Sequence, residues 1–366
     1  MPINICYIQY IVYSLPYPIR IFVLGFLTFH TFDLFFMYKK FFSDNANRKG
    51  WYKMITPFSI RDSRQLSAFT GLTEGQFEKL EKAFEKVYDE ERKQKYEEAV
   101  RKGERRRKPG GGQKGKLATM KLKILFLLFY LKEYPTFDVL GGIFGLARSG
   151  AHNNVHKLMP VLYKTLEKMG VVPHRGFDNV EEMKKVLGNN MDKIIIDATE
   201  RPHQRPKDSE KQSSLYSGKK RGHMLKNTVM TSIDKFVLFL GRTFPGHKHD
   251  YTMLKEEFPP EIPWFEDKTV LADSGYQGIR SDYEGGNILI PYKKPRKSKA
   301  NPNPELTESQ KEYNRALSKV RVFVENAIGG IKRYNILNHV FRNKKANFDD
   351  DVIVICAGLW NLKLLF

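Results

Sequence analysis

Three acidic residues follow or lie within apolar segments in a way that could place them together around metal ions. Asp197 follows the apolar run 194–196, and Asp273 follows the apolar run 270–272. Glu325 lies in a long helical pattern further along the chain. Three carboxylates in one place repel one another unless cations are bound between them. Carboxylate oxygens, with no cysteine and few histidines nearby, are the ligands typical of Mg²⁺ or Mn²⁺.

Such a site could act on a phosphodiester. Two divalent ions about 3.5–4 Å apart can clamp a phosphodiester, activate the attacking oxygen and stabilise the leaving oxygen. Arg321 comes four residues before Glu325 and Lys332 seven residues after it, so both share its helical face. Ordinary salt bridges along a helix are the alternative interpretation of this spacing. The pattern predicts metal ions held by Asp197, Asp273 and Glu325, with Lys332 neutralising phosphate charge.

An α/β domain with a mixed sheet is predicted to position the three acids. Hydrophobic periodicity indicates, in order, a strand at 192–200, a hairpin within 227–242, a short helix at 250–258, strands at 268–276 and 287–292, and a long helix at 308–334. Ligands bind at strand ends in open α/β sheets, and a helix across the sheet can bring a third side chain to the same point. Asp197 and Asp273 are therefore expected at strand ends, and Glu325 on the closing helix.

A helical region precedes the sheet. Thr73 followed by Gln76 is a capping-box pattern that begins a helix. Further helical patterns cover 120–132 and 136–144, and another begins near Gly150 after a turn. A glycine-containing turn followed by a polar, basic helix is typical of a helix-turn-helix. Sequence-specific DNA contacts would then fall to Arg148, Ser149, His152, Asn153 and His156.

The formal net charge of +21 is concentrated in three blocks. Residues 92–116 carry a net +8, residues 201–226 a net +6 and residues 292–299 a net +5. A surface that only needs solubility intersperses the two signs. The blocks favour a polyanionic partner, with nucleic acid ahead of an acidic membrane and three solvated loops as the alternative. Contacts to a DNA backbone are expected from Arg201, Arg205, Lys219, Lys220, Arg221, Lys226 and Arg321.

The first fifty residues form an apolar extension unlike the rest of the chain. Residues 1–37 contain only three charged or histidine side chains. They have neither the basic start nor the small-residue cleavage site of a signal peptide. A poor membrane anchor is one interpretation, and sequence upstream of a start at Met37 or Met54 is the one we favour. Cys6 and Cys356 are too few for a disulfide framework and fit a reducing cytoplasm.

Five stretches carry a family resemblance. They are IIIDATERPHQRP (194–206), YSGKKRGHMLK (216–226), PGHKHDYTML (245–254), LADSGYQGI (271–279) and VRVFVENAIGGIKRYNIL (320–337). Together they resemble the DDE-superfamily transposases of bacterial insertion sequences, in the branch related to the Harbinger elements. With the helix-turn-helix region and the C-terminal segment, the resemblance covers about residues 54–366. It implies a ribonuclease-H-like catalytic domain at 190–366, after an all-α domain at 54–188 with its helix-turn-helix at about 118–169.

The resemblance implies a DNA transposase whose acidic triad is Asp197, Asp273 and Glu325. Its activity would be metal-dependent hydrolysis at the transposon ends, freeing a 3′-hydroxyl that attacks target DNA with no covalent protein intermediate. Its partners would be terminal inverted repeats, target DNA and further copies of the chain, with no small-molecule substrate and no membrane. The protein would be cytoplasmic and associated with the nucleoid. A catalytically inactive DNA-binding relative and a nuclease that cuts without joining are the alternatives.

Two other motifs do not support a function. Residues 110–116 fit the spacing of a P-loop, but Leu117 stands where Ser or Thr would bind Mg²⁺, and no buried strand precedes them. His247 and His249 lack further well-spaced ligands for zinc. Asp250, next to them, is interpreted as a structural or auxiliary residue.

Overall fold

A helical region followed by a mixed sheet with covering helices is observed, which confirms the predicted fold class. The computed structural model describes residues 60–105, 107, 115–188, 192–283, 285–299 and 301–366. The predicted apolar extension at 1–50 and most of the glycine-rich motif at 110–116 lie outside these residues. Among the helices described, none is long and apolar enough to cross a bilayer.

The helical region contains the predicted helix-turn-helix. Its described helices are α1 (Ser63–Thr70), α2 (Glu74–Arg101), α3 (Met120–Glu133), α4 (Phe137–Phe144), α5 (Arg148–Lys168) and α6 (Val180–Leu187). Both hydrogen bonds of the capping box between Thr73 and Gln76 are present at the start of α2. Helix α5 begins at Arg148 rather than near Gly150, because the Ala147 carbonyl already accepts from the Ala151 N–H at 2.9 Å.

The sheet combines parallel and antiparallel pairing. Its strands are β1 (Lys193–Pro202), β2 (Tyr216–Ser217), β3 (Gly222–Thr231), β4 (Val237–Leu240), β5 (Phe244–Pro245), β6 (Thr269–Leu271) and β7 (Asn287–Leu289). The main order is β2-β3-β1-β6-β7, and β4 and β5 also pair with β3. Strand β1 is antiparallel to β3 and parallel to β6, which is parallel to β7. The β3–β4 hairpin confirms the one predicted within 227–242.

Strand β1 lies within two residues of the strand predicted at 192–200, but it corrects the position of Asp197. Its parallel pairing with β6 stops at Ile195 and Leu271, whereas its antiparallel pairing with β3 continues to the end of the strand. Asp197 therefore lies within the strand, opposite Val229, rather than at its end. Both Asp197 and Asp273 stand two residues beyond the last parallel pair. The register between β1 and β6 therefore brings the two aspartates to the same level of the sheet. This is the arrangement that was predicted for two strand-end residues.

Five helices accompany the sheet in the described residues, and only the second and the fourth were predicted. They are α7 (Ser209–Leu215), α8 (Asp250–Glu257), α9 (Ile279–Asp282), α10 (Glu308–Ile331) and α11 (Phe348–Leu365), with a 3₁₀ turn at Asn335–Leu337 between the last two. Helix α10 begins at a capping box formed by Thr307 and Gln310. Helix α11 is apolar on most sides and packs against α5, α10 and β4. One hydrophobic cluster consequently includes residues of α5, β1, α10 and α11, and the predicted division near residue 189 stays a prediction.

Gly330 allows α10 to pack closely against α11. A methyl group at Gly330 would overlap the ring of Trp360, whose Nε1 donates to the Lys235 carbonyl at 2.9 Å. Gly330→Ala should lower the free energy of unfolding by about 1–3 kcal/mol, the usual cost of overpacking. A methyl group at Gly329 would meet no atom within 4 Å. Gly329→Ala should therefore raise the free energy of unfolding by up to about 1 kcal/mol, because alanine has the higher helix propensity. Urea unfolding measures both changes, and equal stability of the two variants would contradict the close packing.

Candidate active site

The guanidinium of Arg321 brings the three predicted acids together. Its Nη1 lies 3.0 Å from Oδ1 of Asp273. Its Nη2 lies 3.9 Å from Oδ2 of Asp197 and 3.7 Å from Oε1 of Glu325. The acids come from β1, from the segment after β6 and from α10, which are far apart in the sequence. The structure thus places the predicted triad around one point, while the catalytic role of each residue stays a prediction.

The packing of α10 explains why Arg321 points inward. The helix crosses the sheet against β1 and β3, and it buries Val324 and Ala327 on the side that faces them. Arg321 and Glu325 lie one turn apart at the border of this face, and the Arg321 side chain is only 13% exposed. The guanidinium of Arg321 therefore contacts carboxylates in this structure, and its contact with DNA stays a prediction.

The charge balance and donor set of the site suit divalent cations. Three carboxylates face one guanidinium, so ionised acids would leave two uncompensated negative charges. Burial raises the pKa of Asp197 to about 6, and its Oδ1 accepts from the Ala198 N–H at 2.8 Å. All the donor atoms are hard carboxylate oxygens, which fit Mg²⁺ or Mn²⁺. With Arg321 between them they do not yet form a metal centre: the described part of the chain has no His, Cys, Asp or Glu group close enough to hold an ion.

A second polar cluster lies beside the triad and encloses Lys226. The Lys226 Nζ is 3.4 Å from Oε1 of Glu200 and 3.0 Å from Oδ1 of Asp250, and it donates to the Lys248 carbonyl at 2.9 Å. Its side chain is only 9% exposed. The expected contact between Lys226 and DNA is therefore corrected to an internal one. Glu200 is a member of this cluster that no pattern in the sequence indicated.

Lys332, the basic residue predicted to assist the triad, stands at the end of the helix that carries Glu325. It follows the last residue of α10 and is half-buried. Burial lowers the pKa of Lys332, and the neighbouring Lys220 lowers it further, whereas Glu200 and Asp197 raise it. Its role in neutralising an incoming phosphate stays a prediction.

Arg201 lies inside the protein rather than on a DNA-facing surface, which corrects its predicted role. It is 3% exposed and donates to the Asp349 carbonyl at 2.7 Å. It also donates to Oδ1 of Asn227 and Oγ1 of Thr243, both at 3.0 Å. Burial lowers its pKa to about 10. Arg201 thus ties β1 to the beginning of α11.

The remaining basic residues predicted near the triad are accessible. Arg205, Lys219, Lys220 and Arg221 are exposed. Arg205 donates to Oε1 of Gln212 at 3.0 Å, and Arg221 occupies a left-handed turn between β2 and β3. Their contacts with a DNA backbone stay predictions that the structure leaves sterically open.

Helix α5 presents most of its predicted DNA contacts to solvent. Arg148, Ser149, His152 and Asn153 are exposed on its first turns. His156 instead packs against Phe348 with ring centroids 4.7 Å apart, and its Nε2 lies 3.2 Å from the side-chain amide nitrogen of Asn343. Burial lowers its pKa to about 4, so its ring is neutral near pH 7. The structure therefore corrects His156 from a DNA contact to a packing residue.

Glu257, at the end of α8, is a buried carboxylate that the predicted chemistry does not use. It lies against Gly241, and the Thr228 hydroxyl and the Arg242 N–H beside its carboxylate lower its pKa less than burial raises it. Burial raises the pKa of Glu257 from 4.5 to about 7. Between these pH values the folded chain binds more protons than the unfolded chain, so the free energy of unfolding falls as the pH rises.

Glu257→Gln should therefore raise the free energy of unfolding at pH 8 by on the order of 2 to 3 kcal/mol and change it little below pH 4.5. Urea unfolding at pH 4 and pH 8 measures the difference. Glu256→Gln is the matched control, because a hydrogen bond from Lys248 lowers the pKa of exposed Glu256. Loss of the Glu256 carboxylate should destabilise the chain slightly at pH 8. An unchanged pH dependence in Glu257→Gln would contradict this prediction.

Comparisons with known proteins agree with this arrangement. Residues 196–361 match the family described as DDE superfamily endonuclease, and residues 115–168 match the helix-turn-helix of DDE superfamily endonuclease. A probable transposase for insertion sequence element IS702 from Microchaete diplosiphon is 30% identical over 266 residues, which cover 72% of this chain and 88% of that protein. No solved structure gives a significant match. The first family match includes all three acids and Arg321, and the second includes α3, α4 and α5.

Proposed function

Because the chain belongs to the DDE superfamily of insertion-sequence transposases, we propose that it cuts the ends of its element and joins them to target DNA. In the first step water attacks a phosphorus at the element's end, and the P–O3′ bond breaks to leave a 3′-hydroxyl and a 5′-phosphate. In the second step that 3′-hydroxyl attacks a target phosphodiester, forms a new P–O3′ bond and releases a target 3′-hydroxyl. No covalent bond to the protein is formed in either step.

The convergence of three acids from separate elements on one point carries this proposal. Asp197 and Asp273 would hold two divalent ions, Mg²⁺ or Mn²⁺, and Glu325 would complete the shell of one of them. When bound, such ions polarise the scissile phosphodiester and activate the attacking oxygen. Lys332 would neutralise charge on the phosphate from its position at the end of α10.

The rest of the molecule supports DNA as the partner. Exposed residues on the first turns of α5 would contact base edges in the terminal inverted repeats, as recognition helices do. The exposed cations between β1 and β3 would contact the phosphate backbone without reading sequence. The two ends of the element would be brought together by a homo-oligomer of the chain acting at the nucleoid.

A cleavage and joining assay tests this function. The full chain is incubated with linear DNA that carries the sequences flanking its gene, and with a supercoiled plasmid, in Mg²⁺ or in EDTA. We expect Mg²⁺-dependent nicks with 3′-hydroxyl ends at matching inverted repeats, followed by plasmid products joined to those ends. Nicks without joined products would indicate a nuclease. Repeat-specific binding without nicks would indicate a catalytically inactive relative.

A further inference from the structure

A cationic groove lies between α2 and α5, away from the triad. It has a volume of about 330 Å³ and is lined by four basic residues, two tyrosines, one acid and one valine: Arg92, Lys95, Arg105, Lys157, Tyr88, Tyr96, Glu91 and Val161. We call this surface the α2–α5 groove. The four basic side chains are all exposed, so the groove opens to solvent.

The groove's positive charge is not balanced from within. Its acid, Glu91, already contacts Lys164 and lies 3.5 Å from the Lys95 Nζ. In the described ranges, Arg92, Arg105 and Lys157 have no ion-pair partner within 4 Å. Cations that are left unpaired at close range are an unfavourable arrangement for the isolated protein, and an anion would relieve it.

Two cations at the groove stand over tyrosine rings. Lys123 of α3 stands with its Nζ 5.3 Å from the centre of the Tyr88 ring, and Arg105 stands 5.9 Å from the centre of the Tyr96 ring. Burial lowers the pKa of Lys123, and the positive charges of Lys157 and Arg92 lower it further. Three cations from three different helices are thus close enough to repel one another.

The groove continues the exposed side of α5 that is predicted to contact DNA. Ser149, Asn153 and Lys157 follow one another at intervals of four residues and are all exposed, so they form one stripe on the helix. At 1.5 Å per residue, Lys157 lies about 12 Å along the axis from Ser149. This distance is comparable with the width of the major groove, about 12 Å. A helix that enters the major groove with its first turns would therefore place Lys157 near the phosphates at the edge of the major groove.

We propose that the α2–α5 groove binds the sugar-phosphate backbone of DNA beside the bases contacted by α5. Arg92 and Lys157 would contact phosphate oxygens directly, while Lys123 and Arg105 add positive charge from the tyrosine rings. The groove would fix the position of α5 on the duplex without contributing sequence specificity. This proposal rests on the DNA-binding part of the proposed function and is independent of the acids.

The salt dependence of DNA binding by the full chain tests this proposal. The probe is a fluorescent duplex, and its affinity is measured by anisotropy over a range of salt concentrations. Each phosphate contact that is lost reduces the slope of log affinity against log salt by about 0.9. Arg92→Gln combined with Lys157→Gln should therefore reduce the slope by about 1.8. Lys157→Gln alone should reduce it by about 0.9, which keeps the test valid if the double variant unfolds.

Two matched variants separate the groove from general loss of charge. Lys82→Gln combined with Lys86→Gln removes two exposed charges from the same helix α2 and should keep the parent slope. Arg92→Lys combined with Lys157→Arg keeps both charges and should also keep the salt slope of the parent. The proposal would be overturned if the Gln variants at Arg92 and Lys157 kept the salt slope of the parent. It would also be overturned if the Lys82 and Lys86 control lost as much slope as they do.

The same preparations distinguish failure of the groove from failure of the proposed function. If the parent cleaves DNA with Mg²⁺ while the neutral groove variants keep the parent slope, only the groove is refuted. If the groove variants lose slope while the parent never cleaves DNA, only the catalytic part of the proposed function is refuted. Absence of any salt-dependent DNA binding by the parent would refute both.

Discussion

Asp273→Asn is expected to reduce Mg²⁺-dependent cleavage of transposon ends at least about 10³-fold while DNA binding is retained. The substitution keeps the shape of the side chain and removes a negative oxygen ligand. The only ion pair of Asp273 in the described residues is the one with Arg321, and its side chain is 41% exposed. The fold should therefore tolerate the amide, and the loss should be confined to the chemistry.

Asp267→Asn is the matched control for this experiment. Asp267 stands before β6, as Asp273 stands after it, and its exposed carboxylate lies 3.5 Å from the Lys184 Nζ. Its φ of 61° is a left-handed conformation that Asn also adopts. Asp267→Asn removes the same charge from the opposite end of β6 and should cleave like the parent.

Thermal unfolding with and without Mg²⁺ gives a second measurement for Asp273→Asn. A cation that binds only the folded chain raises the midpoint of unfolding. The parent and Asp267→Asn should show this rise, and Asp273→Asn should lose most of it. Parent-like cleavage by Asp273→Asn would remove Asp273 from the triad, whatever the effect on stability.

The position of the triad could be predicted because each part of it leaves a local signal. Asp197 and Asp273 each follow three buried apolar residues, all of them within β1 for Asp197 and the first two within β6 for Asp273. The prediction placed Asp197 at a strand end, and this was wrong, since antiparallel pairing with β3 continues β1 to Pro202. The two aspartates nevertheless lie together as predicted, because their relative position along the sheet depends only on the parallel register between β1 and β6.

Helix α11 explains two of the incorrect predictions about DNA contacts. Because it is apolar on most sides, its sequence has no periodic pattern that separates a buried face from an exposed one. Its beginning covers Arg201 through the Asp349 carbonyl, and Phe348 covers His156. A basic residue in a strand or helix is accessible only if no other element covers it, and a local pattern cannot show that.

Arg321 illustrates a different limit of prediction. Its spacing from Glu325 places both side chains on one face of α10, and that much is observed. A long arginine side chain can extend into solvent or fold back over the protein, and helical spacing does not distinguish these two directions. The direction of the Arg321 side chain depends on Asp197 and Asp273. Only the pairing of the strands in the sheet brings these two aspartates to the same point.

Arg321→Gln is expected to bind Mn²⁺ at least about tenfold more tightly than the parent. The guanidinium lies 3.0–3.9 Å from all three acids, so a divalent ion at these carboxylates must either displace it or remain beside a positive charge. Removing that charge removes the competition, and tenfold corresponds to about 1.4 kcal/mol. Isothermal titration calorimetry with MnCl₂ measures the affinity without any DNA.

The same substitution should have the opposite effect on the metal-free chain. Without Arg321, three carboxylates would face one another with no cation between them, and the chain should lose about 1–2 kcal/mol of unfolding free energy in EDTA. Arg315→Gln removes an exposed charge from the same helix and should change neither quantity appreciably. Arg321→Lys keeps the charge and should resemble the parent in metal affinity. Weaker Mn²⁺ binding by Arg321→Gln would show that the guanidinium helps to build the metal site, whereas tighter binding with lower metal-free stability would show that Arg321 and the ions compete for the same acids.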